Sequence, residues 1–84
     1  METSEEQVVR NIKSARERYG KTQEEVAKKA NMTSRTYKSI ENHPFNYSID
    51  KLNTVAIAIG CNIDEFFLPL NFTKSEWITK TVQN

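Results

Sequence analysis

The side chains best suited to chemistry in this chain are Ser34, Arg35, Lys38 and Ser39. Their spacing puts them on one side of a helix, with Tyr37 and Ile40 on the other. An arginine fork carries five donors in a fixed plane, lysine carries a mobile positive charge, and serine hydroxyls both donate and accept. Such a set recognises polar edges and anions; it does not break bonds. Ser34, Ser39 and Ser48 have no histidine in sequence reach that would activate a nucleophile. The single histidine, His43, stands before Pro44 in a loop-like segment, and Cys61 is the single cysteine, so neither an internal disulfide nor a usual zinc set can form. With no acid/base pair, nucleophile or metal set, the chain reads as a non-enzyme with no cofactor and no metal.

Charge indicates the kind of surface such side chains would meet. The net charge of +1 conceals a strong asymmetry. Residues 1–9 carry a net −3 and residues 39–84 a net −2, whereas residues 10–38 hold nine Lys and Arg against Glu17, Glu24 and Glu25, a net +6. A local excess of this size attracts a phosphate backbone if the acidic ends face away. A solvated, lysine-rich helical surface is the plainer explanation of the same charges. No apolar run is long enough for a membrane span, and the start of the chain is acidic rather than a basic signal region, which implies a soluble, cytoplasmic protein.

Nearly every segment reads as helix. Val8, Ile12, Ala15 and Tyr19 make one apolar stripe over residues 5–19, and Gly20 suits the helix end. Thr22-Gln23-Glu24-Glu25 is a capping box for a short helix over 23–30, with Val26, Ala27 and Ala30 inward. Asn31-Met32-Thr33 is a tight connection, and Thr33 caps a third helix at about 34–41. Pro44 and two asparagines break the pattern over 42–47. Ser48 caps a fourth helix over 49–59, which buries Leu52, Val55, Ala56 and Ile59 and ends at Gly60. Asn62-Ile63-Asp64-Glu65 is a further capping box, opening a short fifth helix through Phe67 or Leu68. The last segment is open between a helix over 74–80, stapled by Phe72 and Trp77, and a β-branched strand over 77–82. The expected organisation is a domain over residues 1–70 with an extension over 71–84 that serves as a lid or a dimerisation element.

Two short helices joined by a tight turn, the second polar and basic on its outer side, form a helix-turn-helix whose second helix fits the DNA major groove. The run from Ile12 through Tyr19-Gly20-Lys21-Thr22-Gln23 to Ala27 resembles the first two helices of the lambda-repressor-like (Cro/XRE) helix-turn-helix family. Met32-Thr33-Ser34-Arg35-Thr36-Tyr37-Lys38-Ser39-Ile40-Glu41-Asn42 resembles its recognition helix, and residues 57–67 resemble its fourth-to-fifth helix junction. The resemblance covers about residues 8–68. It implies an all-α, compact five-helix domain that binds a palindromic double-stranded DNA operator as a homodimer. It further implies a phosphate contact at Gln23, a cap and backbone contact at Thr33, base-reading roles for Ser34, Arg35 and Lys38 with Ser39 nearby, and a backbone-tracking segment from Asn42 through Asn46. Arg16 and Glu41 fall where the family has an internal ion pair. The glycine usual after the Glu41-Asn42 pair is replaced by His43-Pro44, and the loop is short of basic residues, which leaves Asn46, Tyr47 and Ser48 as neutral donors.

These expectations describe a sequence-specific transcriptional regulator, acting by occupying a promoter or by touching RNA polymerase, with Phe66, Phe67 and the C-terminal segment joining two copies. A phage-type repressor, a restriction-modification controller and an antitoxin-type autorepressor all fit. The alternative from another class is a protein-interaction module that kept the fold without DNA affinity.

Overall fold

The stripe of Val8, Ile12 and Ala15 forms the buried face of α1 (Glu5–Arg18), and all three are fully buried. The computed structural model describes residues 4–68, so the 71–84 extension and the choice between helix and strand there lie outside the described residues. α2 (Gln23–Lys29), α3 (Ser34–Asn42) and α4 (Ile49–Ile59) follow, with 3-10 turns at Pro44–Asn46 and Ile63–Phe67. No strand occurs among the described residues, and no helix there is long and apolar enough to cross a membrane.

The starts of α2, α3 and α4 are made by the capping side chains that predict them. Thr22 accepts from the Glu25 N–H while the Glu25 carboxylate accepts from the Thr22 N–H, closing the box. The Thr22 N–H, and after it the Thr22 hydroxyl, hold the Glu25 carboxyl below its ordinary pKa. Thr33 caps α3 and Ser48 caps α4 by accepting from the N–H three residues on. α1 has a further capping box, Ser4 with Gln7. At its other end Gly20 adopts φ +69, and the Lys21 N–H closes back on the Arg16 carbonyl, a Schellman ending.

The core sits where all four helices converge. Val26 and Ala27 of α2, Tyr37 and Ile40 of α3, and Leu52, Val55, Ala56 and Ile59 of α4 close over the α1 stripe, and Phe66 fills the remaining side. Lys21 reaches across to donate to the Ile59 carbonyl (3.3 Å), placing a cation at the C-terminus of α4.

Three local expectations differ. The fifth helix is a 3-10 turn, Ile63–Phe67. Asn62 accepts from Asp64 two residues on, and Glu65 pairs with Arg18 instead of reaching back to close the box. Asn11 of α1 takes the Phe66 carbonyl (2.9 Å) and the Leu68 carbonyl, which pins a segment too short to hold its own ladder. Tyr19 is the C-cap of α1 and lies exposed on the surface, with the Arg18 guanidinium 5.9 Å from its ring centre. Phe66 is fully buried inside the domain, so it is not available to join a second copy; Phe67 is half-buried.

Candidate nucleic-acid interface

The turn between α2 and α3 is built by its own backbone. Asn31 adopts φ +58, a conformation asparagine tolerates better than most residues. Its N–H bonds the Lys28 carbonyl at 3.1 Å, and the Met32 N–H bonds the Ala27 carbonyl at 2.9 Å. This Schellman ending stops α2 and turns the chain within three residues, Asn31 to Thr33, so that α3 crosses α2. Thr33 then accepts from the Thr36 N–H (3.1 Å) and donates its hydroxyl to Thr36 Oγ1 (3.0 Å), fixing the first turn of α3.

The inner face of α3 is locked by one carboxylate. Glu41 is fully buried, yet every donor it needs surrounds it. Arg16 of α1 donates through Nε to Oε2 at 2.9 Å and through Nη2 to Oε1 at 3.4 Å. Gln23 at the start of α2 donates to Oε1 at 3.0 Å, and the Tyr37 hydroxyl, one turn earlier on α3, donates to Oε2. Burial opposes the Arg16 charge, but the hydrogen bond to Glu41 and its negative charge outweigh it, and the Arg16 pKa lies above its ordinary value. Burial, then the bond and charge of Glu41, hold the Tyr37 phenol far above its own, so it stays a donor. Glu41 thus ties α1 and α2 to the end of α3.

The outer face of α3 is polar along its whole length. Arg35, Ser39 and Asn42 follow one another at i, i+4 and i+7 opposite Tyr37 and Ile40, with Lys38 and Thr36 flanking them. Arg35, Lys38 and Asn42 are exposed; Ser34 and Ser39 are half-buried. The face carries two cations and no acid, since the one acid of α3, Glu41, points inward. The geometry therefore brings together Ser34, Arg35, Lys38, Ser39 and Asn42 on one surface. Thr33 lies exposed at its leading edge and Asn46 exposed in the following 3-10 turn, where its N–H caps back on the His43 carbonyl. Gln23 stands apart from this group because its amide nitrogen is directed at Glu41.

Three participants, Thr36, Glu5 and Glu24, are missing from the sequence reading, and Tyr47, expected as a neutral donor toward DNA, has its hydroxyl engaged inside the protein. Thr36 is exposed on the flank of α3. Tyr47 donates its hydroxyl to Ser39 Oγ at 2.7 Å, and Glu5 accepts the Phe45 N–H at 3.2 Å, so the loop after α3 is tied at both ends. Glu24 of α2 lies 3.9 Å from Lys38. Spacing along α3 alone could have shown Thr36 and the Tyr37–Glu41 step of one turn; Tyr47, Glu5 and Glu24 are long-range partners with no local signature. Cys61 packs half-buried against the core at the end of α4, and burial, with the nearby Glu65 charge, pushes its thiol up to about 11. At neutral pH it is a thiol and not a nucleophilic thiolate.

The Lys38–Glu24 pair has both side chains about half exposed or more, so it contributes little to stability. Its acid does, however, lie beside the cationic face. Glu24→Gln should leave the melting temperature unchanged within a degree or two and tighten DNA binding about two- to fivefold at low salt, an effect that fades as salt is added. Parallel melting curves and fluorescence-anisotropy titrations check it; weaker binding would show that Glu24 helps by orienting Lys38.

A short turn, a capped second helix locked at its inner face, and a polar cationic outer face define a DNA-binding helix-turn-helix domain. The helix-turn-helix family model matches residues 12–66, and the chain belongs to this family, of the lambda-repressor-like Cro/XRE type. No curated protein and no solved structure matches the chain.

Proposed function

We propose that the protein is a sequence-specific transcription regulator, acting in the cytoplasm as a repressor or controller that reads a palindromic operator through α3. The observation that carries this reading is the division of α3 into an inner face fixed by Glu41 and an outer face of Arg35, Lys38, Ser39 and Asn42. Base reading needs a helix held in place and side chains that reach beyond it, and the Glu41 bonds to Arg16 and Gln23 together with the exposed Arg35 and Lys38 support both. Arg35 reads a guanine through O6 and N7, Lys38, Ser34 and Ser39 read neighbouring edges, and Thr33, Asn42 and Asn46 contact phosphates at either side. Gln23 contributes through its remaining amide hydrogen and carbonyl while its nitrogen stays on Glu41. The other bases of repression, occupation of a promoter or contact with RNA polymerase, follow from where the operator lies.

Two copies act together in this reading. Phe66 is committed to the core, and the surface that supports pairing is the outer side of α4, where Ile49 and Ile57 lie 59% and 69% exposed, two turns apart. A pairing role for half-buried Phe67 and for the 71–84 extension, which lies outside the described residues, belongs to the same proposal.

One experiment tests the reading as a whole: selection of bound sequences from random DNA, followed by salt titration of the selected site. The expected result is an inverted repeat with half-sites about one helical turn apart and an affinity falling steeply with salt, since every phosphate neutralised adds about −0.9 to the log–log slope. Selection of no sequence and no salt-dependent DNA affinity would leave the protein-interaction module as the better reading.

A further inference from the structure

We infer that Tyr47 fixes the Ser39 hydroxyl and biases it toward donating to DNA, making the Ser39–Tyr47 pair a specificity determinant that favours a base acceptor one helical turn beyond Arg35. The inference rests on the DNA-reading role proposed above.

Ser39 lies on the same outward line of α3 as Arg35, four residues on, and is half-buried where its neighbours Lys38 and Asn42 are exposed. The cause is Tyr47, which follows the 3-10 turn of Pro44–Asn46 and packs against the core. Its hydroxyl comes back to Ser39 Oγ at 2.7 Å. A phenol is a better donor and a poorer acceptor than an alkyl alcohol, so the favoured direction has Tyr47 donating and Ser39 accepting. A serine hydroxyl has one hydrogen to give and lone pairs to accept with. Once one lone pair holds the Tyr47 proton, the side-chain rotamer is fixed, and the hydrogen and the second lone pair are left for a partner outside the protein. The phenol also polarises that O–H, because hydrogen bonds in a chain strengthen one another.

An untethered serine is indifferent in the major groove, since it can donate to guanine O6, N7 or thymine O4 or accept from the amino groups of cytosine and adenine. A serine already accepting from a phenol is a stronger donor and a weaker acceptor, so it favours the first kind of partner over a base that presents an amino group there. Tyr47 is therefore a positioning residue, acting on DNA through Ser39. The Glu5 carboxylate on the Phe45 N–H steadies the same loop from the side of α1, which keeps Tyr47 within reach.

Tyr47→Phe removes one oxygen and keeps the ring in the core. Base preference is measured for the wild type, Tyr47→Phe, Ser39→Ala and the double variant on a panel of operators varied one position at a time, with melting curves alongside. The expected result is a loss of discrimination of about three- to tenfold at one base position in Tyr47→Phe, the same position affected by Ser39→Ala, and no further loss in the double variant. Equal weakening on every sequence, effects at different positions, additive effects, or no effect of Tyr47→Phe in a folded protein each overturn the inference. Should Tyr47→Phe fail to fold, Ser39→Thr, which keeps the hydroxyl, is expected to preserve the preference that Ser39→Ala removes; a loss in both overturns it. A wild-type protein with no base preference anywhere overturns the DNA-reading role itself, whereas a wild-type preference with additive variants overturns only the role of Tyr47.

Discussion

Glu41→Ala should destabilise the domain by about 3–5 kcal/mol, the largest effect of any single substitution proposed for this chain. The carboxylate is fully buried and accepts from Arg16, Gln23 and Tyr37, side chains from three helices. Truncation leaves all three donors without their acceptor, and the Arg16 side chain, only 13% exposed, loses the charge that compensates its own. A small domain has about 5–15 kcal/mol in total, so a loss of this size takes away a large share. At about 4–8 °C per kcal/mol for a chain of this length, the melting temperature should fall by roughly 12 °C or more. DNA affinity should fall with it, because the same bonds hold α3 against α1 and α2. Thermal melting followed by circular dichroism, with urea unfolding for the free energy, measures the effect. A drop of less than about 4 °C would mean that packing by Tyr37 and Ile40, and not the carboxylate, fixes the recognition helix.

The parts of this fold that were legible in the sequence are those encoded by local chemistry. Thr22, Thr33 and Ser48 announce helix starts because a side-chain oxygen three residues before a free N–H is a local arrangement, and all three caps are made. The fourth helix over 49–59 has the bounds its cap and Gly60 imply. What the sequence did not disclose depends on which distant groups compete for an atom. The Asn62–Glu65 box is a sound local pattern, but Arg18, 47 residues away in the chain, takes the Glu65 carboxylate, and Asn11 satisfies the Phe66 and Leu68 carbonyls at the end of the segment. Tyr19 fits the α1 stripe by spacing, yet the helix ends one residue before it and the side chain turns outward.

The same division runs through the candidate site. The outward set on α3 follows from helical spacing, since Tyr37 and Ile40 can face the core only if Arg35, Ser39 and Asn42 face away. The Arg16–Glu41 pair, implied by family resemblance, is present at 2.9 Å. The one-turn step on α3 offers Tyr37 to Glu41, but spacing gives no hint that Gln23 shares that carboxylate or that Tyr47 reaches Ser39, because those two contacts join segments whose approach is set by the whole fold.

Arg35→Ala is expected to separate recognition from folding. Arg35 is exposed, makes no ion pair among those of the described residues, and stands at the head of the outward line. Its removal should leave the unfolding free energy within about half a kcal/mol of the wild type, as for surface changes generally. A bidentate contact to guanine is worth about 1–3 kcal/mol of discrimination, so the preference for one base pair per half-site should fall about five- to 150-fold. In a dimer that loss appears twice across an inverted repeat, and the two changes should be symmetric about its centre. A phosphate contact behaves differently: its loss weakens binding uniformly on all sequences and lowers the salt slope by about one. Affinities for the operator and its single-base variants, each at two or more salt concentrations, distinguish these outcomes. Relaxed preference with an unchanged slope assigns Arg35 to a base edge; uniform weakening with a shallower slope moves it to the backbone and leaves Lys38 and Ser39 to carry the reading. Set beside Glu41→Ala, which should weaken folding and binding together, the Arg35 result shows whether the two faces of α3 do separate physical work.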